Sequence, residues 1–252
     1  MLSLVPAAIS LAATVLLAGL AVAAHALTLR AGAVAAVFGS VIVVFAGYPF
    51  LALLILFVFG SVLATRYQME EKRRKNVQEG TAGERGVANV VAHSVIPVVI
   101  AVVIGWGDSG VPASTLALLY VSALAFGASD TFASEFGVLA GRARGILSLR
   151  PVPPGTNGGV SARGELFALV GAATTAVLAL GLFALFGPPF SSVPRLLFVA
   201  ITAGFIGCQV DSVLGEGLEN RGFLTKHTTN LLGMLSSVGL AAALVALLGG
   251  PG

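Results

Sequence analysis

Long apolar runs broken by short polar connections fill this chain, and they settle its architecture before any single residue is weighed. A membrane-crossing helix needs about 20 consecutive, mostly apolar residues. Runs of that order stand at 2–27, 31–46, 49–65, 88–105, 112–129, 164–186, 194–213 and 229–249. They predict eight helices, or seven if the Gly47-Tyr48-Pro49 break is a kink within one long span. The fold class expected is therefore all-α, a polytopic transmembrane helix bundle forming one membrane domain over residues 1–252. The first run opens without a basic segment, is too long for a signal core and has no polar domain behind it, so it reads as a retained span.

Composition agrees with the pattern. Hydrophobic residues make up 57% of the 252 positions and charged ones 10%, against roughly 25% charged in a soluble domain; mean hydropathy is +0.98. Cys208 is the single cysteine, so no internal disulfide can form, and its apolar surroundings suggest plain packing. His25, in the first run, reads as a hydrogen-bonded interhelical histidine.

Charge sets the expected orientation. Of 14 Lys and Arg, 13 follow odd-numbered spans, from Arg30 to Lys226, and only Arg195 lies on the other side. The positive-inside bias then puts both termini outside and four basic connections in the cytoplasm. The net charge of +3 thus describes a membrane face that attracts anionic headgroups or phosphorylated substrates, not a nucleic-acid binder.

The outer connections, 47–49, 106–112 and 187–194, are short and rich in Gly and Pro, as simple turns are. Two inner ones are longer: a basic loop at 66–87 and a Gly/Pro-rich loop at 138–163. In the first, RYQMEEKRRK can continue the third span as a solvated helix, with Glu70 and Glu71 meeting Arg74 and Lys75 at i,i+4.

Four carboxylates carry the candidate chemistry. Asp130 and Glu135 in SDTFASEFG, and Asp211 and Glu216 in QVDSVLGEG, repeat one spacing after an inward-running helix. Ionisable groups at membrane depth are costly and mark functional sites by default. On an ideal helix Ser134 shares a face with Asp130, whereas Glu135 is turned away by roughly 140°. A helix break or a second helix is then needed for both carboxylates to meet one ion. Two crossing helices carrying Asp130, Ser134 and Glu135, and Asp211, Ser212 and Glu216, could offer Mg²⁺ hard oxygen ligands and leave room for water and phosphate. The alternative is that these acids pair with Arg142, Arg144, Arg221 or Lys226 and close helix ends.

The string Pro153-Pro154-Gly155-Thr156-Asn157-Gly158-Gly159-Val160-Ser161 reads either as an anion cradle or as an ordinary flexible turn. Its glycines let successive backbone N–H groups curl towards a phosphate, and Ser161 suits a helix N-cap. It lacks the Gly-Lys-Ser/Thr ending of a Walker loop. Asn89 and His93 stand at i,i+4 beside Arg85, facing either another helix or the site. Near the start of the last span, Thr228 or Thr229 reads as a cap, while Asn230 and Lys226 are candidates for binding. No Ser-His-Asp order, zinc spacing or haem motif is present, which leaves hydrolase and redox readings without support.

At SDTFASEFG, VPPGTNGGVS, GFIGCQVDSVLGEGLE and HTTN, spread from Arg85 to Asn230, the chain resembles the membrane-protein family that includes plant phytyl-phosphate kinase and animal transmembrane protein nineteen. The first element, with Gly141-Arg142, is more distantly similar to dolichol kinases and CDP-diacylglycerol synthases. Phe132 departs from the Trp common in the family, and many relatives carry Asn at the place of His93 or its neighbours. The resemblance implies a CTP-dependent kinase that needs Mg²⁺ and converts a polyprenyl monophosphate, such as phytyl or geranylgeranyl phosphate, to its diphosphate at the cytoplasmic face. Metal then falls to Asp130, Glu135, Asp211 and Glu216, and nucleotide or phosphate to Asn89, Ser134, Arg142, Gly155, Thr156, Asn157, Gly158, Gly159, Ser161, Ser212, Lys226 and Asn230. Expected partners are the lipid bilayer, a nucleoside triphosphate, the prenyl monophosphate and, as an oligomeric option, a second copy in a homodimer. A cytidylyltransferase would use the same ligands, and an ion or organic-anion transporter would place its polar groups nearer the midplane.

Overall fold

The computed structural model describes residues 4–78, 83–187, 190 and 192–249. Part of the expected Gly/Pro turn at 187–194 lies outside these residues. The eight apolar runs fold as eight long helices: α1 (Leu4–Ala23), α2 (Leu29–Phe45), α3 (Tyr48–Arg66), α5 (Val87–Trp106), α6 (Ala113–Gly137), α7 (Ala162–Phe186), α8 (Val193–Leu214) and α9 (Lys226–Leu247). Six of them, among the described residues, are long and apolar enough to cross a membrane; α2, and α1 from Ala8, are shorter. The break at Gly47 is a true turn, with Gly47 at φ +95° and Pro49 in the first turn of α3. The result is an all-α polytopic membrane bundle.

Its centre is α6. This helix packs against α3, α5, α7, α8 and α9, and most of its side chains are buried. Helices in lipid gain little from hydrophobicity against one another, so small residues that admit close backbone approach decide which faces meet. A Cβ on Gly171 of α7 would stand 2.5 Å from the Ala128 carbonyl oxygen of α6, and one on Gly204 of α8 would stand 2.8 Å from the Ala125 backbone. Tyr120 is fully buried on α6, and its hydroxyl donates to the Phe50 carbonyl of α3 at 2.9 Å. That bond satisfies the one polar atom the ring would otherwise strand.

The basic connection does not prolong α3. The chain reverses at Tyr67 and at Gln68, which is left-handed at φ +50°, then forms the short α4 (Met69–Arg74). Glu71 pairs with Lys75 at 2.7 Å as the spacing predicts, whereas Glu70 pairs with Arg73 at i,i+3 instead of Arg74. The Lys75 ammonium holds the exposed Glu71 carboxyl below its usual range. His25 is also corrected: it sits exposed in the α1–α2 turn at φ +53°, not between helices.

The Gly/Pro-rich loop contains a small antiparallel sheet in the order β2-β1-β3, made of β1 (Ala143–Gly145), β2 (Pro151–Val152) and β3 (Gly159–Val160). Ser161 caps α7 as expected, its hydroxyl accepting from Gly164 N at 3.1 Å. The cap of α9 is earlier than expected: Thr225 is the N-cap and Thr228 closes a capping box with it.

Candidate functional site

The C-terminal ends of α6 and α8 and the N-terminal ends of α7 and α9 surround a pocket of about 360 Å³ that the loop 154–161 covers. Asp130 reaches it from α6 and Asp211 from α8. Between these two carboxylates lies the amide of Asn230, from α9. With Nδ2 donating to the Lys226 carbonyl at 2.8 Å and to Asp211 Oδ1 at 3.3 Å, the amide oxygen accepts from His93 Nε2 at 3.0 Å. In that orientation Asp130 Oδ2 lies 3.4 Å from the amide oxygen, an acceptor, and 3.9 Å from His93 Nε2, so it borders the contact without accepting from Asn230. Four helices thus converge on one buried polar contact. Ser134, Ser212, Lys226, Gly155, Thr156, Asn157, Gly158, Gly159 and Ser161 also line the pocket.

The two Asp-x4-Glu elements do not behave alike. Glu135 lines the pocket, but both of its oxygens are engaged: Oε1 accepts from Thr65 Oγ1 at 2.7 Å, and Oε2 from Lys72 Nζ at 2.6 Å. Lys72 is fully buried and also donates to the Ala64 and Thr65 carbonyls at 2.8 and 3.0 Å. It therefore satisfies orphan carbonyls at the end of α3 while neutralising Glu135. Glu216 is aimed elsewhere. Its carboxylate accepts from the backbone N–H groups of Leu147 and Ser148 at 2.6 and 3.1 Å, outside the pocket. At i+5 an ideal helix already turns Glu216 roughly 140° away from Asp211, and the π-helical turn at Gly215–Glu219 does not bring it back to the pocket.

Two further expectations are corrected. Arg142 is exposed at the foot of β1 and does not line the pocket. Asn89 accepts from Arg85 Nη1 at 3.0 Å and lines a different cavity, against α1, α2 and α3.

The π-helical turn brings in a residue that the spacing argument passed over. Glu219 lines the pocket, and its Oε1 accepts from Asn157 Nδ2 at 2.8 Å. Asn220 Nδ2 donates to the Asn157 carbonyl at 3.0 Å, so the glycine loop is stitched to the end of α8. Gly158, at φ +72°, lies so close that a Cβ there would be 2.5 Å from Glu216 N and from the Ser212 carbonyl oxygen. Glycine is required at that point by contact as well as by conformation. Glu165, held by Gln209 Nε2 at 2.8 Å, completes the acidic lining. Glu165 stands four residues beyond Ser161 and Gln209 lies inside GFIGCQVDSVLGEGLE, with no spacing that marked either.

As a donor set the pocket is sparse in nitrogen and sulfur and rich in carboxylate oxygen. Among the described residues no group of three His, Cys, Asp or Glu converges as an all-protein metal cage. Asp130 and Asp211 instead present two carboxylates in a roomy pocket. That set fits Mg²⁺, which is commonly held by one or two carboxylates plus substrate phosphates.

Comparison with known proteins places these residues in a family. The profile of the integral membrane protein family DUF92 matches residues 12–246. An uncharacterized membrane protein of Methanocaldococcus jannaschii is 30% identical over 198 residues, covering 78% of this chain and 76% of the relative. Protein PGR of Arabidopsis thaliana is 34% identical over 196 residues, 71% of this chain and 67% of its own. An uncharacterized membrane protein of Synechocystis is 32% identical over 200 residues, 77% and 74% of the two chains. No solved structure matches the chain.

Proposed function

The chain belongs to the DUF92 family of integral membrane proteins, and on that footing we propose that it is a membrane-embedded kinase that phosphorylates a polyprenyl monophosphate to the diphosphate, with CTP as donor, at the cytoplasmic face. The observation that carries this reading is the meeting of Asp130 and Asp211 at the Asn230 amide, under a glycine-rich loop and beside Lys226. CTP and the isoprenoid come from the resemblance at SDTFASEFG and VPPGTNGGVS, whereas the phosphate chemistry is supported by the pocket itself. A carrier reading is disfavoured because the pocket opens at one end of the bundle instead of its middle.

In this mechanism an oxygen of the acceptor phosphate forms the new bond to the γ-phosphorus of CTP, and the bond from that phosphorus to the bridging oxygen breaks, releasing CDP. Phosphoryl transfer needs alignment and charge stabilisation more than covalent assistance. Asp130 and Asp211 would hold Mg²⁺, which when bound would neutralise negative charge on the reacting phosphates. Lys226 supplies a fixed cation at the pocket wall. Asn230 orients Asp211 through its amide, and His93 in turn fixes the amide. Loop 154–161, anchored through Asn157 to Glu219, covers the nucleotide and excludes water that would hydrolyse it. The acceptor phosphate is already ionised near neutral pH, so no strong base is called for.

The test is incubation of purified protein with Mg²⁺, each of the four ribonucleoside triphosphates and a panel of prenyl monophosphates, with products read by mass spectrometry. Prenyl diphosphate together with CDP is the expected outcome. A CDP-lipid with pyrophosphate would establish nucleotidyl transfer instead, and no nucleotide consumption would refute both.

A further inference from the structure

A second cavity, of about 370 Å³, lies between α1, α2, α3 and α5 and is not used by the site described above. Most of its wall is apolar, including Leu17, Leu54 and Val58, and α1 and α3 face each other across it. Its cationic groups gather at one end, where Arg66 and Arg85 line it. Arg66 donates to the Ala24 carbonyl and so ties the inner ends of α3 and α1 together at that mouth.

The cationic end abuts the carboxylate pocket. Arg85 Nη2 is 3.5 Å from Thr65 Oγ1, which donates to the pocket-lining Glu135. The Thr65 hydroxyl thus links a side chain of each chamber. His93 lines the second cavity, and its Nε2 meets Asn230, which lines the first.

An apolar slot with guanidinium groups at one end is complementary to a single-chain amphiphile with an anionic head. Its size falls within the roughly 300–1,000 Å³ of small-molecule pockets. A tail that leaves the bilayer for this slot exchanges one apolar medium for another, so the hydrophobic effect selects little. Discrimination falls on shape and on the head, where a guanidinium matches phosphate oxygens in a planar fork. A groove between α3, α6 and α7 is smaller, about 160 Å³, and its lining carries no charged side chain.

We propose that the cavity between α1, α2, α3 and α5 holds the hydrocarbon tail of a single-chain lipid monophosphate, its phosphate at Arg66 and Arg85; naming that lipid as the acceptor rests on the kinase reading above.

The test uses the full chain in phosphatidylcholine vesicles, without nucleotide, and a geranylgeranyl monophosphate carrying a diazirine in its chain. Adducts are mapped by mass spectrometry after illumination. Labelling should concentrate on cavity residues such as Leu17, Leu54 and Val58, and fall at least fivefold with excess unlabelled geranylgeranyl monophosphate but not with equal phosphatidic acid. Ala35→Trp, which fills the slot from α2, and Arg66→Gln should each reduce it by a similar factor. Should Ala35→Trp fail to fold, Arg66→Gln decides the matter. Adducts at Leu178 in the other groove, equal competition by phosphatidic acid, or undiminished labelling of Arg66→Gln would each overturn the proposal. Because nucleotide is absent, a chain that consumed no CTP would refute the kinase reading and leave this map standing.

Discussion

Lys72 Nζ and Glu135 Oε2 lie 2.6 Å apart, with the lysine side chain wholly removed from water. The pair fastens the short helix after α3 to the last turn of α6, next to the carboxylate pocket. Removing one member of a buried pair leaves an uncompensated charge and costs about 3–5 kcal/mol, whereas replacing both with apolar groups is often close to neutral. Lys72→Met should therefore lower the unfolding midpoint sharply in detergent, and Lys72→Met with Glu135→Leu should recover most of the loss. A double variant as unstable as the single one would show that the pair is not the cause.

Asp130→Asn and Asp211→Asn should behave in the opposite way. Each removes a negative charge from a pair of facing carboxylates, so the unfolding midpoint should stay level or rise. Turnover should fall on the order of 10²–10³-fold, the usual loss when one preorganised electrostatic group is deleted. Steady-state kinetics alongside thermal unfolding check both halves. Activity close to wild type in either variant would refute the two-aspartate assignment.

Glu216 supplies a contrast, since its carboxylate serves the loop backbone at Leu147 and Ser148. Glu216→Gln should keep turnover within about 10-fold while making the loop more sensitive to limited proteolysis. The roughly 1.5–3 kcal/mol of a hydrogen bond to a charged group is spent here on loop position instead of chemistry.

Gly158→Ala tests how the loop docks. The added methyl would meet Glu216 N and the Ser212 carbonyl oxygen at 2.5 Å, and overpacking of this kind costs about 1–3 kcal/mol. The loop should lift from α8, raising KM for the nucleotide by roughly 10-fold or more and kcat much less. An unchanged KM would mean that the loop takes no part in nucleotide binding.

The proposed sidedness can be read with thiol chemistry, because the native Cys208 is buried. Ser148→Cys lies in the loop over the pocket and Ser109→Cys in the turn before α6, at the other end of the bundle. In intact cells a membrane-impermeant maleimide should label Ser109→Cys and spare Ser148→Cys until the membrane is opened. The reverse pattern would place the pocket on the outer side.

Hydropathy alone made the bundle legible, since all eight runs became helices with ends displaced by a few residues. The largest shift is at α6, which continues to Gly137 instead of stopping at 129. Its polar inner turns are helical because α7, α8 and α9 cover them. The pairing of Asp130 with Asp211 was also legible, from two matching elements on helices that end at the same face. The glutamates were not. Glu135 was claimed by a lysine 63 positions earlier, a long-range contact that no local spacing encodes. Glu216 was assigned to the site although an ideal helix already turns i+5 by roughly 140° from Asp211, and Glu219, which carried no assignment, enters beside a π-helical turn that begins at Gly215. Eight residues separate Asp211 from Glu219, about two helical turns, and that interval was the available signal.

The Asp130 side chain and the Asn230 amide that adjoins it are 100 residues apart in the chain. At about 5–20 residues per second of synthesis, that interval lasts roughly 5–20 s. For this time α6 must wait in or beside the insertion machinery, its carboxylate uncovered until α8 and then α9 are made. Truncations ending before α9 are consequently expected to be degraded quickly, and the stability of nascent chains should rise only once the final helix has left the ribosome.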